Sequence, residues 1–240
     1  MGTLYIVATP IGNLRDITLR ALDILKSVDA VACEDTRHTV KLLNAHGIQK
    51  RLISCRAQNE AKAAEGIIAL LETGDVAYAS DAGTPGLSDP GSVLSAKVRE
   101  AGYPVIPLPG ASAFGTLISV GGFGGRTVTF DGFLSPKQGR RKRRLEELLA
   151  REENFLLYES PHRIVKLLGA LADLEPKRRI CIGREMTKMH EEYLNGSALE
   201  VLTELSGRAS IKGEFAILVE GKKIPQSYEE NDDNVIERME

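Results

Sequence analysis

Between residues 4 and 120 short strand-like segments alternate with amphipathic ones, and this alternation constrains the fold more than any other feature of the chain. Leu4–Val7, Ala30–Cys33, Arg51–Ser54, Val76–Ser80 and Val105–Leu108 read as strands. Thr18 can cap a helix carrying Leu19, Leu22, Ile24 and Leu25. Val40, Leu42 and Leu43 mark a second helix, Glu60–Leu71 a third and Ser92–Ala101 a fourth, and a fifth runs to about Val120. Strand–helix–strand repeats require right-handed crossovers, so the expected class is α/β with a mainly parallel sheet. Ligands of such sheets sit beyond the carboxyl ends of the strands. The unusual loops of this half all lie there, after Val7, Cys33, Ser80 and Leu108.

Gly121-Gly122-Phe123-Gly124-Gly125 interrupts the pattern and reads as a hinge between domains. Beyond it come strands at Thr127–Phe130, Phe155–Tyr158, Arg179–Gly183 and Phe215–Glu220. Helices are expected at 137–150, 161–172 and 198–205, with an irregular or hairpin segment around Glu191–Gly196. The expected organisation is an N-terminal α/β domain over 1–121, a C-terminal α/β domain over 122–223, and a disordered acidic tail over 224–240.

With 42% hydrophobic and 27% charged residues, composition excludes a wholly disordered or fibrous chain. No apolar run approaches the roughly 18 residues of a membrane helix, and the opening Met-Gly-Thr-Leu-Tyr-Ile-Val lacks the basic start of a signal peptide. Cys33, Cys55 and Cys181 are far apart and form no C-x-x-C pair, and the four histidines have no ligand spacing. The expectation is a cytoplasmic, metal-free protein with no membrane association. The net charge of −2 conceals an asymmetry. Residues 225–240 carry −5, which leaves +3 on the body, and six of the eight residues from Lys137 to Arg144 are basic. So dense a stripe favours phosphate binding over a merely solvated helix face.

The loop 81–91 packs three glycines and two prolines around Asp81, Thr84 and Asp89. A loop this rich in glycine after a buried strand lets backbone approach a ligand, and that reading is preferred to an ordinary turn. Pro109-Gly110-Ala111-Ser112-Ala113 exposes helix N-terminal amides, but it is neither a Walker loop nor a dinucleotide fingerprint, and close packing explains it equally well. Glu34-Asp35-Thr36-Arg37 taken alone reads as a helix cap.

Taken together, these segments resemble a known family. Leu4 to Thr18, Glu34-Asp35-Thr36-Arg37-His38-Thr39, Ser80-Asp81-Ala82-Gly83-Thr84-Pro85 and Asp89-Pro90-Gly91 carry the likeness in the first half. Pro107-Leu108-Pro109-Gly110, Gly132-Phe133-Leu134, Tyr158-Glu159-Ser160 with His162-Arg163, Arg184-Glu185 with Thr187-Lys188, and Lys212-Gly213-Glu214 continue it. They are similar to the tetrapyrrole methylase superfamily, and more narrowly to its bacterial 16S rRNA cytidine 2′-O-methyltransferase branch. Two departures stand out. Arg56-Ala57-Gln58 precede Asn59-Glu60 where that branch usually has histidines, and an acidic tail replaces its usual C-terminal extension, as in a short member or a truncated form.

The resemblance implies two α/β domains of the tetrapyrrole methylase type, with S-adenosylmethionine in the cleft between them and a homodimer as the assembly. Carried over by motif, the donor should touch Pro10, Ile11, Gly83, Thr84, Pro85, Leu87, Gly110, Ala111 and Ser112 from the first domain. From the second it should touch Tyr158, Glu159, Arg184, Glu185, Met186, Glu214 and Phe215. The implied reaction is 2′-O-methylation of a cytidine in the decoding region of 16S rRNA, within the small ribosomal subunit. Candidates for its general base are Glu34, Asp35, Asp81 and Glu159, and Lys188 or Arg37 could stabilise the developing oxyanion. Arg15, Arg37, Lys137, Arg140, Arg141, Arg143, Arg144 and Arg163 are the candidate RNA contacts. The alternatives are a tetrapyrrole C-methyltransferase of the same fold and a non-catalytic ribosome-assembly factor.

Overall fold

The first half of the chain builds β1 (Leu4–Val7), α1 (Leu19–Ser27), β2 (Ala30–Cys33), α2 (Thr36–Ala45), β3 (Arg51–Ser54), α3 (Glu60–Leu71), β4 (Val76–Ala79), α4 (Ser92–Glu100) and β5 (Val105–Leu108). The structure is a computed structural model and describes residues 1–222; the acidic tail expected over 224–240 lies outside them. The five strands form one sheet in the order β3-β2-β4-β1-β5, with every pairing parallel. Side chains alternate across it, as a pleated strand requires. Val76 and Tyr78 pack with Ile67 and Leu71 of α3 and Leu94 and Val98 of α4. Ala77 and Ala79 face Leu25 of α1 and Leu43 of α2 on the other side. Burial on both faces is why β4 is apolar without a polar alternation.

β4 and β1 lie at the centre, and the chain leaves them in opposite directions, toward β5 and toward β2. Such a reversal opens a crevice at the strand ends. There the Thr9 and Gly83 backbones exchange two hydrogen bonds of 2.9 Å. The buried Thr9 hydroxyl donates to the Ser80 carbonyl, and the Ser80 hydroxyl donates to the Gly83 carbonyl.

The second half contributes α5 (Ala113–Gly121), β6 (Val128–Phe133), α6 (Gln138–Leu149), β7 (Asn154–Glu159), α7 (Ile164–Leu174), β8 (Arg179–Arg184), β9 (Glu192–Ser197), α8 (Ala198–Ser206) and β10 (Phe215–Val219). Its sheet runs β6-β7-β10-β8-β9. Only β6 and β7 pair in parallel; the other pairings are antiparallel. The segment around Glu191–Gly196 is the second arm of a hairpin with β8. Phe155, Leu157, Ile182 and Ile217 bury one face under α6, α7 and α8.

The opposite face is covered by α5. Phe114, Leu117 and Ile118 pack on Leu156, Cys181, Ala216 and Leu218. A Cβ on Gly121 would come within 2.4 Å of Leu218 Cδ2, so the first glycine of the expected hinge is a close-packing contact. Gly122 ends the helix with a left-handed φ of 67°. The sequence reading divides the chain at 121, whereas packing places α5 with the second sheet. The helix therefore carries the Pro109–Ser112 loop from one sheet to the other.

Side chains cap the starts of α1, α2, α5 and α8, whereas α3, α4, α6 and α7 have no side-chain cap. Thr18 caps α1 and Asp35 caps α2 through side-chain oxygens. At the start of α4 the capping position is Gly91, which has no side chain to offer. The buried Glu60 of α3 substitutes: Oε1 accepts from Gly91 N at 2.8 Å and Leu94 N at 2.9 Å. Glu60→Ala leaves both amides unsatisfied and should cost about 2 kcal/mol in urea denaturation, whereas Glu60→Gln retains an acceptor and should cost less. Equal losses for the two variants would mean that the carboxylate's hydrogen bonds do not stabilise this junction.

Candidate active site

The loops at the carboxyl ends of β1, β4 and β5 face loops at the ends of β7 and β8 and the start of β10 across a cleft of about 390 Å³. That volume lies in the ordinary range for a small-molecule site. Most of the wall is apolar. Ile11, Leu87 and Ala113 contribute from one side, and Met186, Phe215 and Ala216 from the other. An edge-to-face aromatic row continues one wall, with Phe114 5.6 Å from Phe130, Phe130 4.9 Å from Tyr158, and Tyr158 5.8 Å from Phe133. Phe133, at the end of the row, is largely exposed. Burial pushes the Tyr158 phenol up to about 12, so it stays neutral at physiological pH.

The two halves touch beside the cleft. Asn13 N donates to Thr187 Oγ1 at 3.1 Å. Gly12 lies so close to Lys188 Cγ and Thr187 Oγ1 that any Cβ would collide with both. Lys188 Nζ reaches Glu185 and Glu214, each at 2.9 Å. Burial works against the ammonium, but the two carboxylates outweigh it and hold its pKa above the usual lysine value. Burial likewise opposes ionisation of Glu185, and its bonds from Lys188 and the Glu214 amide keep it below the ordinary carboxylate range.

Of the residues expected to touch the methyl donor, Ile11, Gly83, Thr84, Leu87, Ser112, Tyr158, Glu159, Met186, Glu214 and Phe215 line this cleft. Pro10, Pro85, Gly110, Ala111, Arg184 and Glu185 are not among its lining residues. The Ala111 carbonyl accepts from Thr84 Oγ1, and Arg184 is tied to the Lys212 carbonyl and Glu192. Gly110 is small because Ala8 requires it: a Cβ would lie 3.0 Å from Ala8 Cβ and 3.3 Å from the Ala8 carbonyl. Close packing on Ala8 is thus one reason for a small residue at Gly110.

The candidate catalytic groups separate in the same way. Glu159 and Lys188 line the cleft, and Glu34, Asp35 and Asp81 do not. Asp35 caps α2 and is bridged by the Arg37 guanidinium, whose hydrogen bonds hold its carboxyl well below the usual range. Asp81 Oδ1 accepts from Asp35 N at 3.0 Å. Glu34 is raised by partial burial and by the charge of Asp81. Glu159 is 2% exposed; it accepts from Ser160 N and lies 3.1 Å from Arg163 Nη2. The cleft also contains Asp89, Ser160, Phe133 and Ala216, for which the sequence reading assigned no role. Asp89, Phe133 and Ser160 stand in the motifs Asp89-Pro90-Gly91, Gly132-Phe133-Leu134 and Tyr158-Glu159-Ser160, whereas Ala216 carried no signal.

The basic stripe divides by partner. Lys137, at the start of α6, and Arg140, Lys142 and Arg143 on it are exposed, Arg143 with Glu147 3.4 Å away. Arg144 makes two hydrogen bonds to Asp131 of β6, at 2.9 and 2.6 Å, and a third to Glu147. Arg141 is buried, with Nη1 toward the Pro136 carbonyl. With Lys142 and Lys166 it lines a second groove, between α6 and α7. Arg163 donates to the Leu134 carbonyl at 2.6 Å. Arg15, on a 3-10 turn over Leu14–Asp16, is exposed, and Arg37 is exposed but paired.

Comparison with known proteins places this geometry among relatives. Residues 3–201 match the family described as Tetrapyrrole (Corrin/Porphyrin) Methylases. A Borrelia garinii subsp. bavariensis protein named Ribosomal RNA small subunit methyltransferase I is 50% identical over 218 residues, covering 90% of this chain and 97% of its own. Proteins of the same name from Neisseria meningitidis serogroup B and Bacillus subtilis are 45% and 42% identical. These alignments cover 91% and 96% of this chain and 76% and 79% of theirs. The crystal structure of the native form of uroporphyrin III C-methyl transferase from Thermus thermophilus superposes with a TM-score of 0.62 at 16% identity, over 92% of this chain and 98% of its own. That likeness establishes the fold alone.

Gly110→Val should lower stability by about 1–3 kcal/mol, because the branched side chain overpacks Ala8. The check is the urea midpoint measured without any ligand. An unchanged midpoint, with methyl-donor affinity lost, would make Gly110 a ligand contact after all.

Proposed function

The chain belongs to the tetrapyrrole methylase family, and from that premise we propose that it 2′-O-methylates a cytidine in the decoding region of 16S ribosomal RNA, with S-adenosylmethionine as methyl donor. The observation that carries the reading is the cleft itself, a small-molecule pocket built from the strand-end loops of both halves, with an exposed basic helix on the second. The names of the similar proteins, at 40–50% identity over most of the chain, support a ribosomal RNA substrate over a tetrapyrrole. The protein acts, in this reading, as a cytoplasmic homodimer on the small ribosomal subunit. Among the described residues, no helix is long and apolar enough to cross a membrane.

The residues present suit the donor. Ile11, Leu87, Met186, Phe215 and Ala216 offer apolar surface for adenine, and the Gly83–Thr84 and Ser112 segments offer backbone and hydroxyl groups for the ribose and amino-acid parts. When bound, the donor supplies an already activated sulfonium methyl, so the reaction requires no metal. The protein's share is then orientation, exclusion of water and removal of the hydroxyl proton. The Thr9–Gly83 backbone pair and the Asn13–Thr187 contact fix the loops that do the orienting. Tyr158, held neutral, adds a polar edge to an apolar wall without adding charge.

Radiolabelled methyl transfer should be measured with small ribosomal subunits, free 16S rRNA and uroporphyrinogen as acceptors. Label in the small subunit, lost when the target ribose is a 2′-deoxyribose, is the expected result. Label only in the tetrapyrrole would overturn the reading.

The exposed part of the stripe gives a second test. Arg140→Gln with Arg143→Gln preserves helix propensity and should flatten the salt dependence of subunit binding by about one to two in log–log slope. Arg144→Gln should instead lower stability, through the loss of its Asp131 bonds. An unchanged slope in the double variant would remove α6 from the RNA contact.

A further inference from the structure

Four ionisable groups other than tyrosine line the cleft: Asp89, Glu159, Glu214 and Lys188. Three of them are engaged. Glu159 accepts from Ser160 N and faces Arg163. Glu214, 81% exposed, pairs with Lys188, which also holds Glu185. Asp89 alone makes no hydrogen bond or ion pair among the described residues. It nevertheless sits in a loop that is held on three sides. The Pro90 carbonyl accepts from Gly86 N at 3.0 Å. Glu60 of α3 holds Gly91 N and Leu94 N. On the other side Ser88 lies against Gly132 at the bulge of β6, so close that a Cβ there would meet Ser88 Oγ at 2.7 Å. Ser88 itself has φ of 64°, a left-handed backbone that a non-glycine residue adopts at a cost. A strained, braced loop thus presents one unpartnered carboxylate to the cleft.

We propose that Asp89 is the general base of the reaction proposed above, its carboxylate taking the proton of the ribose 2′-hydroxyl. The inference rests on that reading of the cleft. The O–H bond breaks, its electron pair stays on the 2′-oxygen, and the proton resides on Asp89 until water removes it. That oxygen bonds to the donor's methyl carbon while the carbon–sulfur pair goes to sulfur, leaving a neutral thioether.

The surroundings suit the role. Burial first, and then the like charges of Glu34, beyond β2, and Asp81, beyond β4, together raise Asp89 to about 6. The tyrosines facing it, Tyr78 of β4 and Tyr158 of β7, are in turn raised, with the Asp89 charge contributing to both. Lys188 is the cationic group of the cleft lining, and its charge is already committed to two carboxylates. Asp89 is therefore ionised at neutral pH and is a stronger proton acceptor than an ordinary aspartate.

The test compares Asp89→Asn, Asp89→Glu and wild type in the full chain. An acid whose folded pKa lies above its unfolded value near 3.8 destabilises the folded state as pH rises through that window, and the penalty is complete above about 6. Asp89→Asn should therefore raise Tm at about pH 8 and leave it unchanged at about pH 4. Its calorimetric affinity for S-adenosylmethionine should match wild type. Its single-turnover methyl transfer to small subunits should fall roughly 10²–10⁴-fold and lose the rising limb near pH 6 that wild type shows. Asp89→Glu should restore part of the rate. A lowered Tm at both pH values would make Asp89 a structural residue, and weakened donor binding with the pH limb retained would make it a donor contact; either overturns the proposal. Wild type that methylates no small subunit overturns the reading of the cleft, and the base with it.

Discussion

The two backbone hydrogen bonds between Thr9 and Gly83 are the constraint on which the rest of the site depends. They join the loops that follow the two central strands of the first sheet, where the chain departs in opposite directions. Without them each loop would be an independent excursion with its own conformational entropy. The Thr9 and Ser80 hydroxyls are buried and directed at backbone carbonyls, so the junction is satisfied without water. Ile11 and Gly12 then project from one loop, and Thr84, Leu87 and Asp89 from the other, into one cleft or against its opposite wall.

The cleft is completed by α5. This helix follows the last strand of the first sheet, yet it buries Phe114, Leu117 and Ile118 on the second. The loop Pro109–Ser112 is thereby anchored at both ends to different sheets. Gly121 against Leu218 and Gly12 against Lys188 let backbone approach side chains closely at two separate points. Relative movement of the halves would have to disturb this helix, the Asn13–Thr187 bond, or both. The site is preorganised in the sense that matters for an orientation-dependent transfer.

The first sheet was legible almost residue by residue, because its inner strands β2 and β4 are buried apolar runs and helix caps such as Thr18 carry their own signal. The second sheet was legible as elements but not as topology. Nothing in Arg179–Gly183 announces that it will pair antiparallel with two neighbours, and the turn to β9 places Glu185 and Thr187, rather than glycines, at positive φ. Loops that line a cleft and loops that support them have the same composition, so spacing alone does not reveal that Gly83 lines the cleft while Gly110 packs on Ala8. Charge counting treated Arg140 and Arg144 alike, yet Asp131, thirteen residues upstream, neutralises only the second. Asp89 was visible as part of a motif. That it is the unpartnered acid of the cleft is a statement about its neighbours, which spacing does not encode.

The central claim is that one small-molecule site is built jointly by both halves of the chain. Hydrogen exchange of the full protein with and without S-adenosylhomocysteine tests it most directly. The account predicts added protection in the loops at 8–13, 81–91 and 109–113 together with those at 158–161, 184–188 and 213–216. Protection confined to one half, or centred on the α6–α7 groove, would contradict it.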